Sequence, residues 1–165
     1  MMGRFFIGFL VIQGILFTAE LLRPVQQAVV IPWTEAVART SAWLAQCFDS
    51  AVLSQGKVLH HQANNFAVSI EAGCNGIEAS IILAAAMLAF PASWRYRLIG
   101  LGCGFLAIHA LNLLRIISLF YLGQWSITAF EWAHLYLWQA LIMLDALVVF
   151  LVWLRTLPAP NRKPI

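Results

Sequence analysis

Four long apolar runs alternate with polar segments along the chain and predict its helices. They cover about residues 5–22, 75–91, 98–122 and 134–154. Because a helix needs about 20 apolar residues to cross a bilayer, each run is interpreted as a transmembrane helix. The second is short and needs the polar residues before Gly76 to complete a crossing. The first resembles a signal peptide in position, but residues 17–20 offer no small-x-small cleavage site, which favours a retained anchor.

The segment between the first two runs, residues 23–74, has two different polar and apolar patterns. From Trp33 to Val52 the apolar positions recur at helical spacing, which predicts an amphipathic helix on the outer leaflet or capping the bundle. Residues 57–61 and 66–71 alternate around the polar turn 63–65, which predicts a small β-hairpin. This hairpin leads directly to the mouth of the second predicted span.

Composition supports a membrane protein with little room for anything else. The chain has 165 residues, of which 62% are hydrophobic and 10% charged, with a mean hydropathy of +0.82. The predicted fold class is an all-α polytopic membrane protein with four transmembrane helices, an extracytoplasmic amphipathic helix and a small β-hairpin. Residues 1–157 are predicted to form one integral membrane domain, and residues 158–165 a disordered cytoplasmic tail. A large separate catalytic domain is excluded.

The positions of the basic residues predict the orientation. Lys and Arg near span ends stay on the cytoplasmic side. With the N-terminus inside, four crossings also place the 91–97 loop and the C-terminus inside, and these cytoplasmic segments contain only basic charges: Arg4, Arg95, Arg97, Arg155, Arg162 and Lys163. The net charge of +3 is therefore interpreted as a topological signal, and no nucleic-acid partner is expected.

Ionisable or reactive side chains at the ends of the spans are candidate functional residues. At about 1.5 Å per residue, Arg115 lies about 25 Å from the cytoplasmic start of the third span, close to the outer surface. Cys74 opens the second span and His134 opens the fourth, both at that surface. The predicted topology therefore brings a thiol, a guanidinium and an imidazole to one membrane face.

These three groups together suit acyl transfer through a thioester. A free thiol is mostly protonated near neutral pH, and a neighbouring base or positive charge favours the nucleophilic thiolate. His134 can accept the thiol proton and return it to a leaving amine. Arg115 can stabilise the thiolate or the oxyanion of a tetrahedral intermediate. Water resolves such an acyl-enzyme in a protease, and another nucleophile resolves it in a transpeptidase.

Each of the three residues also has a structural interpretation. A single Cys in a membrane protein often fills space. An Arg near a span end often reaches lipid phosphate, and a His there often lies in the interfacial belt. The chain has three cysteines but no CxxC motif and no Cys and His at metal-ligand spacing, so no metal and no cofactor are expected.

Two further polar residues adjoin the candidate site. Glu78 lies one turn after Cys74, and Asn112 lies one turn before Arg115. Glu78 is predicted to contact Arg115, either as an orienting carboxylate or as a plain interhelical contact.

Four other residues are interpreted as structural. His109 and Asp145 lie deeper in their spans and are predicted to form a buried pair. Cys47 falls on the apolar face of the amphipathic helix, which favours a buried thiol over a disulfide partner. Cys103 lies about 20 Å from Cys74 in depth, which excludes a disulfide between them.

Two segments resemble a known family. Residues 71–79, Glu-Ala-Gly-Cys-Asn-Gly-Ile-Glu-Ala, resemble the Cys motif that starts a transmembrane helix in the exosortase and archaeosortase family. Residues 112–116, Asn-Leu-Leu-Arg-Ile, are similar to that family's Asn-x-x-Arg-Ile segment, and His134 stands where its His is expected. The short chain and the motif most resemble the exosortase H branch over about residues 54–138. Asn75, where many relatives carry Ser, departs from the commoner pattern.

The resemblance implies a polytopic cysteine transpeptidase of the bacterial inner membrane. Both termini are expected in the cytoplasm and the active site is expected to face the periplasm. Cys74 would be the nucleophile, Arg115 the thiolate or oxyanion stabiliser, and His134 the general acid and base. Three neighbouring positions are expected to support them: Glu78, Asn112 and Gly76.

The expected partners follow from the same resemblance. The substrates would be exported proteins with a C-terminal sorting signal made of a short motif, a transmembrane helix and a basic cluster. The enzyme would cut near the motif and transfer the new C-terminus to an unknown envelope acceptor, with simple hydrolysis as the nearest alternative. Membrane lipids are the other expected contacts. The alternative from another class is a non-enzymatic membrane module, such as a transporter subunit or assembly factor, whose polar residues only hold helices together.

Overall fold

The computed structural model describes residues 2–158, which form six α-helices and one small sheet. The helices are α1 (Met2–Leu21), α2 (Ile31–Gln46), α3 (Ile77–Ala89), α4 (Trp94–Trp125), α5 (Ile127–Trp132) and α6 (Trp138–Thr156). A helical turn, Arg23–Val25, and a π-helical segment, Gln26–Val30, lead into α2, and a second π-helical segment, Ala133–Leu137, joins α5 to α6. The strands are β1 (Val52–Gln55), β2 (Val58–His61) and β3 (Ala67–Ser69). The predicted disordered tail lies outside the described residues except for Pro158.

Three helical stretches are long and apolar enough to cross a membrane: Gly3–Leu21, Trp94–Trp125 and Ile127–Thr156. The second predicted span is α3, which has only 13 residues. At about 1.5 Å per residue its length of about 20 Å is shorter than a hydrocarbon core of about 30 Å. The predicted count of four spans is therefore not confirmed. The helix is short because Gly76 has a left-handed φ of 80° before it and Pro91 follows it.

The short helix α3 lies at the centre of the bundle and packs against α1, α4 and α6. Its apolar side chains form a core with neighbouring helices, and the buried members of that core are Ala79, Leu83, Met87, Ile108 and Trp153. Because α3 is covered on three sides, packing compensates for its short length.

Aromatic contacts define one end of the bundle. The Phe5 ring lies 6.0 Å from the Phe90 ring and 6.4 Å from the Phe150 ring, centroid to centroid. Trp153 Nε1 donates a hydrogen bond to Tyr96 O at 2.9 Å. The start of α1, the α3–α4 loop and the end of α6 therefore lie together, and the sheet lies at the opposite end.

The sheet contains the predicted hairpin and one additional strand. β2 and β3 pair antiparallel, as the alternation in residues 57–71 predicted, and the order is β1-β2-β3. The amphipathic helix was predicted to reach Val52, the first residue of β1, and that boundary was wrong, because the helix ends at Gln46. The chain turns at residues 47–51, where Asp49 Oδ1 accepts a hydrogen bond from Ala51 N–H at 3.2 Å.

Helix α2 covers the sheet end of the bundle, which is the capping arrangement of the two predicted. Its buried face consists mainly of small residues, namely Thr34, Val37, Ala38, Ser41, Ala42 and Ala45. These pack on β1, β2 and α4. Cys47 lies just after the helix and is exposed, so the prediction of a buried thiol was wrong. Cys103 is also free and exposed.

Candidate active site

Cys74, Arg115 and His134 line one cavity of about 110 Å³ at the sheet end of the bundle. The Arg115 Nη2 atom lies 3.5 Å from Cys74 Sγ. The other walls come from the end of β3 and the residues after it, from α4, and from Phe130. Three residues that the sequence placed at one depth therefore face the same space. Within the described part of the chain, no group of three or more His, Cys, Asp or Glu side chains could hold a metal.

Hydrogen bonds of Asn75 hold the loop that carries Cys74 in place. The Asn75 side chain is buried; its Oδ1 accepts from Ile77 N–H at 3.1 Å, and its Nδ2 donates to Thr34 Oγ1 at 3.1 Å. Trp33 Nε1 donates to Asn75 O at 3.2 Å. Helix α2 therefore holds the residue next to Cys74 through two hydrogen bonds, one to its side chain and one to its backbone.

Gly76 forms the turn between Cys74 and helix α3. The Ser80 hydroxyl donates to Gly76 O at 2.8 Å, and His109 Nε2 lies 3.3 Å from Ser80 Oγ. A Cβ atom at position 76 would lie 2.8 Å from His109 Cε1. His109 thus packs against the turn. It makes no ion pair with Asp145 among the described residues, so the predicted buried pair was wrong.

Gly76→Ala is expected to destabilise the protein more than Gly73→Ala. Both glycines have left-handed φ angles, 80° and 83°, so an alanine at either position costs about 1–2 kcal/mol of backbone strain. Only at Gly76 would the new methyl group also meet His109, whereas at Gly73 no atom lies within 4 Å. Thermal unfolding of the two variants in detergent measures the difference. Equal unfolding temperatures would contradict the close packing of His109 on the turn.

The Arg115 side chain is buried, at 1% exposed, and it is held against the loop that carries Cys74. Its Nη1 donates to Gly73 O at 3.1 Å, and Asn112 Nδ2 donates to Cys74 O at 3.0 Å. The buried Arg115 Nε–H has no partner among the described residues. Glu78 was predicted to contact Arg115, but in the part of the chain that the structure describes the two make no ion pair. The Glu78 carboxylate instead accepts a hydrogen bond from Gly73 N–H at 2.5 Å. The guanidinium charge is therefore not neutralised by a carboxylate at the site.

Two opposing effects act on the Cys74 thiol. Burial raises the pKa of Cys74 above its ordinary value, and the Arg115 charge opposes that rise without cancelling it. Glu78 and Glu71 contribute smaller increases. The resting thiol is therefore protonated at neutral pH and needs a base to become a nucleophile.

His134 supplies an imidazole on the other side of the cavity. It lies in the π-helical segment Ala133–Leu137, a distortion that occurs often at functional sites. Its ring stacks on Phe130 with centroids 5.6 Å apart and planes 3° apart. The buried His134 Nδ1 atom has no partner among the described residues. The ring is thus oriented by packing.

Alkylation of Cys74 by iodoacetamide is expected to accelerate from about pH 7 to about pH 9, because only the thiolate reacts and its pKa is raised. In Arg115→Gln the opposing charge is lost, the pKa rises further and labelling slows by about tenfold for each unit of increase. The rates are measured in a background carrying Cys47→Ser and Cys103→Ser, since both other thiols are exposed. A faster rate in Arg115→Gln would contradict this electrostatic role.

Several residues that support the site were not identified from sequence. Trp33 was predicted only to begin the amphipathic helix, Asn75 was noted only as a departure from a motif, and no role was predicted for Thr34 or Ser80. Thr34 and Asn75 are 41 positions apart in the chain, so no local pattern connects them. The one available signal was the position of Ser80, one turn after Gly76 on an otherwise apolar helix.

Comparison with known proteins gives one match that covers most of the chain. The family model described as transmembrane exosortase (Exosortase_EpsH) matches residues 3–156. No curated protein and no solved structure matches the chain significantly. The matched range contains all the residues that line the candidate cavity.

Proposed function

Since the chain belongs to the transmembrane exosortase family, we propose that it is a membrane cysteine transpeptidase that processes exported proteins through a thioester on Cys74. The observation that carries the proposal is the 3.5 Å contact between Arg115 Nη2 and Cys74 Sγ in a cavity that His134 also lines. A nucleophile, a cation and a base in one space are the groups that acyl transfer requires.

In the first step His134 takes the proton of the Cys74 thiol, and the thiolate attacks the carbonyl carbon of the scissile peptide bond. A C–S bond forms, and the carbonyl electron pair moves to oxygen. The tetrahedral intermediate then collapses: the C–N bond breaks, His134 returns the proton to the leaving amine, and a thioester remains on Cys74. In the second step His134 takes the proton of an acceptor nucleophile, which attacks the thioester carbonyl; the C–S bond breaks, and His134 returns the proton to the Cys74 sulfur.

Arg115 stabilises the negative charge that develops in these steps. Two of its nitrogens already contact Gly73 O and Cys74 Sγ, and its buried Nε–H has no partner among the described residues. A guanidinium has five N–H donors in a fixed fork, so donors remain for the oxyanion. In a buried site such a charge-assisted hydrogen bond is stronger than in water.

A groove beside the nucleophile loop supports a membrane-anchored substrate. It has a volume of about 430 Å³, lies between α1, α3 and α6, and reaches Gly73 and Glu78 at one end and Phe150 at the other. Its walls are otherwise almost entirely apolar. A polypeptide that continues from the cavity into this groove must satisfy its backbone hydrogen bonds internally, which favours a helix. A sorting signal with a transmembrane helix after its motif has this form.

The remaining features of the proposal concern location and acceptor. The basic residues of the α1, α3–α4 and α6 ends favour a cytoplasmic location for that face of the bacterial inner membrane, which leaves the cavity facing the periplasm. The acceptor is an envelope nucleophile rather than water. Lipids surround the apolar exterior of the three long helices, which remain exposed in the protein alone.

Hydroxylamine trapping tests the proposal. Membranes containing the enzyme are incubated with a co-expressed exported protein that carries a C-terminal sorting signal, and hydroxylamine is added. A thioester reacts with it to give a C-terminal hydroxamate, which mass spectrometry distinguishes from an acceptor adduct and from a free carboxylate. We expect hydroxamate with hydroxylamine and an adduct without it. A free carboxylate under both conditions would overturn the proposed transfer to an acceptor. Absence of any cleaved product would overturn the proposed enzymatic activity.

A further inference from the structure

We infer that the free edge of strand β3 binds the substrate as an added β-strand, which delivers the scissile bond to Cys74. This inference rests on the proposed function and specifies how the substrate is recognised. The ligand is an extended polypeptide segment that forms main-chain hydrogen bonds with Ala67 and Ser69.

The hydrogen-bond pattern of the sheet defines which groups of β3 are free. β3 is the outer strand of the sheet and pairs with β2 only. Phe66 O accepts a bond from β2 at 2.8 Å, and Ile70 N–H donates one to the β1–β2 turn at 3.0 Å. Because bonded residues alternate in an antiparallel ladder, the backbone of Val68 also faces β2. The N–H and C=O groups of Ala67 and Ser69 therefore point away from the sheet.

This edge is continuous with the candidate active site. Residues 68–71 form one wall of the cavity that Cys74, Arg115 and His134 line. Cys74 N–H donates to Glu71 O at 2.9 Å, so a single turn connects the end of the strand to the nucleophile. A chain running along the free edge of β3 therefore reaches the cavity that Cys74 lines.

The side chains around the edge fit a passing peptide. Val68 and Ile70 point toward the core, whereas Ala67 and Ser69 are exposed, so no large side chain covers the free groups. Ser69 Oγ donates to Glu71 Oε1 at 2.7 Å, and Lys57 holds the same carboxylate at 2.6 Å. The hydrogen-bonded ion pair with Lys57 and the hydrogen bond from the Ser69 hydroxyl lower the pKa of Glu71. The edge is thus fixed in place beside the cavity, and an exposed strand edge is a template for another strand.

The test compares proline substitutions at the two opposite edges of the sheet. Ser69→Pro removes the outward N–H and places a ring in the path of an added strand. Ser54 in β1 is the matched control: it faces Leu59, whose backbone groups point to β3, so Ser54→Pro removes an equivalent outward N–H at the far edge. Ser69→Ala controls for loss of the hydroxyl. The substrate is the exported protein whose processing depends on Cys74.

We expect Ser69→Pro to raise KM by about tenfold or more, the cost of one or two lost main-chain hydrogen bonds, with Cys74 alkylation unchanged. Ser54→Pro should keep the wild-type KM, and the KM of Ser69→Pro should exceed that of Ser69→Ala, which loses the same hydroxyl but keeps the backbone N–H. Equal KM values for Ser69→Pro and Ser54→Pro would overturn this inference alone. If processing persists in Cys74→Ala, the proposed function and this inference both fail.

A crosslinking measurement keeps the inference testable if Ser69→Pro does not fold. A photoreactive benzoylphenylalanine is introduced at Ala67 or, as the control, at Ser54, in an enzyme that carries Cys74→Ala and therefore retains substrate. Irradiation is expected to join the substrate to position 67 at least several times more than to position 54. Equal crosslinking at both edges would overturn strand addition.

Discussion

Replacing Cys74 with alanine is expected to abolish substrate processing, with a fall in rate of at least about 10³-fold. No other thiol can replace it. Cys47 lies at the exposed end of α2, and Cys103 is exposed near the start of α4, at the end of the bundle that is opposite the sheet. The change in substrate mass, followed by immunoblotting and mass spectrometry, measures the loss.

The matched controls are Cys47→Ala and Cys103→Ala, which remove the same chemical group from positions outside the cavity and should process at the wild-type rate. Cys74→Ser tests the chemistry further. A serine hydroxyl fits the same position but is not ionised to a useful extent by a neutral imidazole alone, so this variant should also be inactive. Processing at the wild-type rate in Cys74→Ala would contradict the role of Cys74 as the nucleophile and is the result that a non-enzymatic membrane module predicts.

Depth in the membrane made the main site predictable. Cys74, Arg115 and His134 are far apart in sequence, yet counting residues from the ends of apolar runs assigns them one level. That argument needs only the helical rise and the span boundaries, and an error of a few residues changes a depth by only a few ångströms. In the structure the three residues line one cavity.

The length of α3 was not predictable in the same way. The apolar run ends at Pro91, which marks one boundary, but the other boundary depends on the left-handed conformation of Gly76. Glycine adopts that conformation and the ordinary helical one with similar ease. The sequence therefore allowed a helix to extend back to residue 75, whereas in the structure Gly76 forms a turn against which His109 packs.

The contacts of α2 were missed for a different reason. Its amphipathic pattern was judged on large side chains, and these predicted a stripe that included Cys47. The face that packs on the bundle consists mainly of small residues, which let the helix approach β1 closely: Thr34, Val37, Ala38, Ser41, Ala42 and Ala45. Small residues contribute little to a hydrophobic pattern, so the pattern identified the helix correctly but missed most of its buried face.

Arg115→Gln is expected to lower kcat/KM by about 10²–10³-fold, the effect of losing one donor to an oxyanion. The guanidinium contacts Gly73 O and Cys74 Sγ, and glutamine is too short and uncharged to replace both contacts. Steady-state processing of the Cys74-dependent substrate measures the loss. A fall of less than threefold would show that the charge is not needed.

Arg97→Gln is the control for the structural cost of losing a guanidinium that bonds a backbone carbonyl; Arg97 is half-buried. Arg97 Nη2 donates to Phe90 O at 2.8 Å, a backbone carbonyl at the opposite end of the bundle, and its buried Nε also has no partner among the described residues. Both variants therefore lose the same type of hydrogen bond. Only Arg115→Gln should lose activity in protein that remains folded.

Arg115→Lys separates the two roles of the arginine. A lysine keeps the positive charge that opposes the raised pKa of Cys74, but it cannot hold the sulfur and an oxyanion with one planar fork. Alkylation of Cys74 should therefore recover toward the wild-type rate while kcat stays low. If kcat recovers together with alkylation, Arg115 acts through the thiolate alone. If neither recovers, its hydrogen bond to Gly73 O, which fixes the nucleophile loop, is the larger contribution.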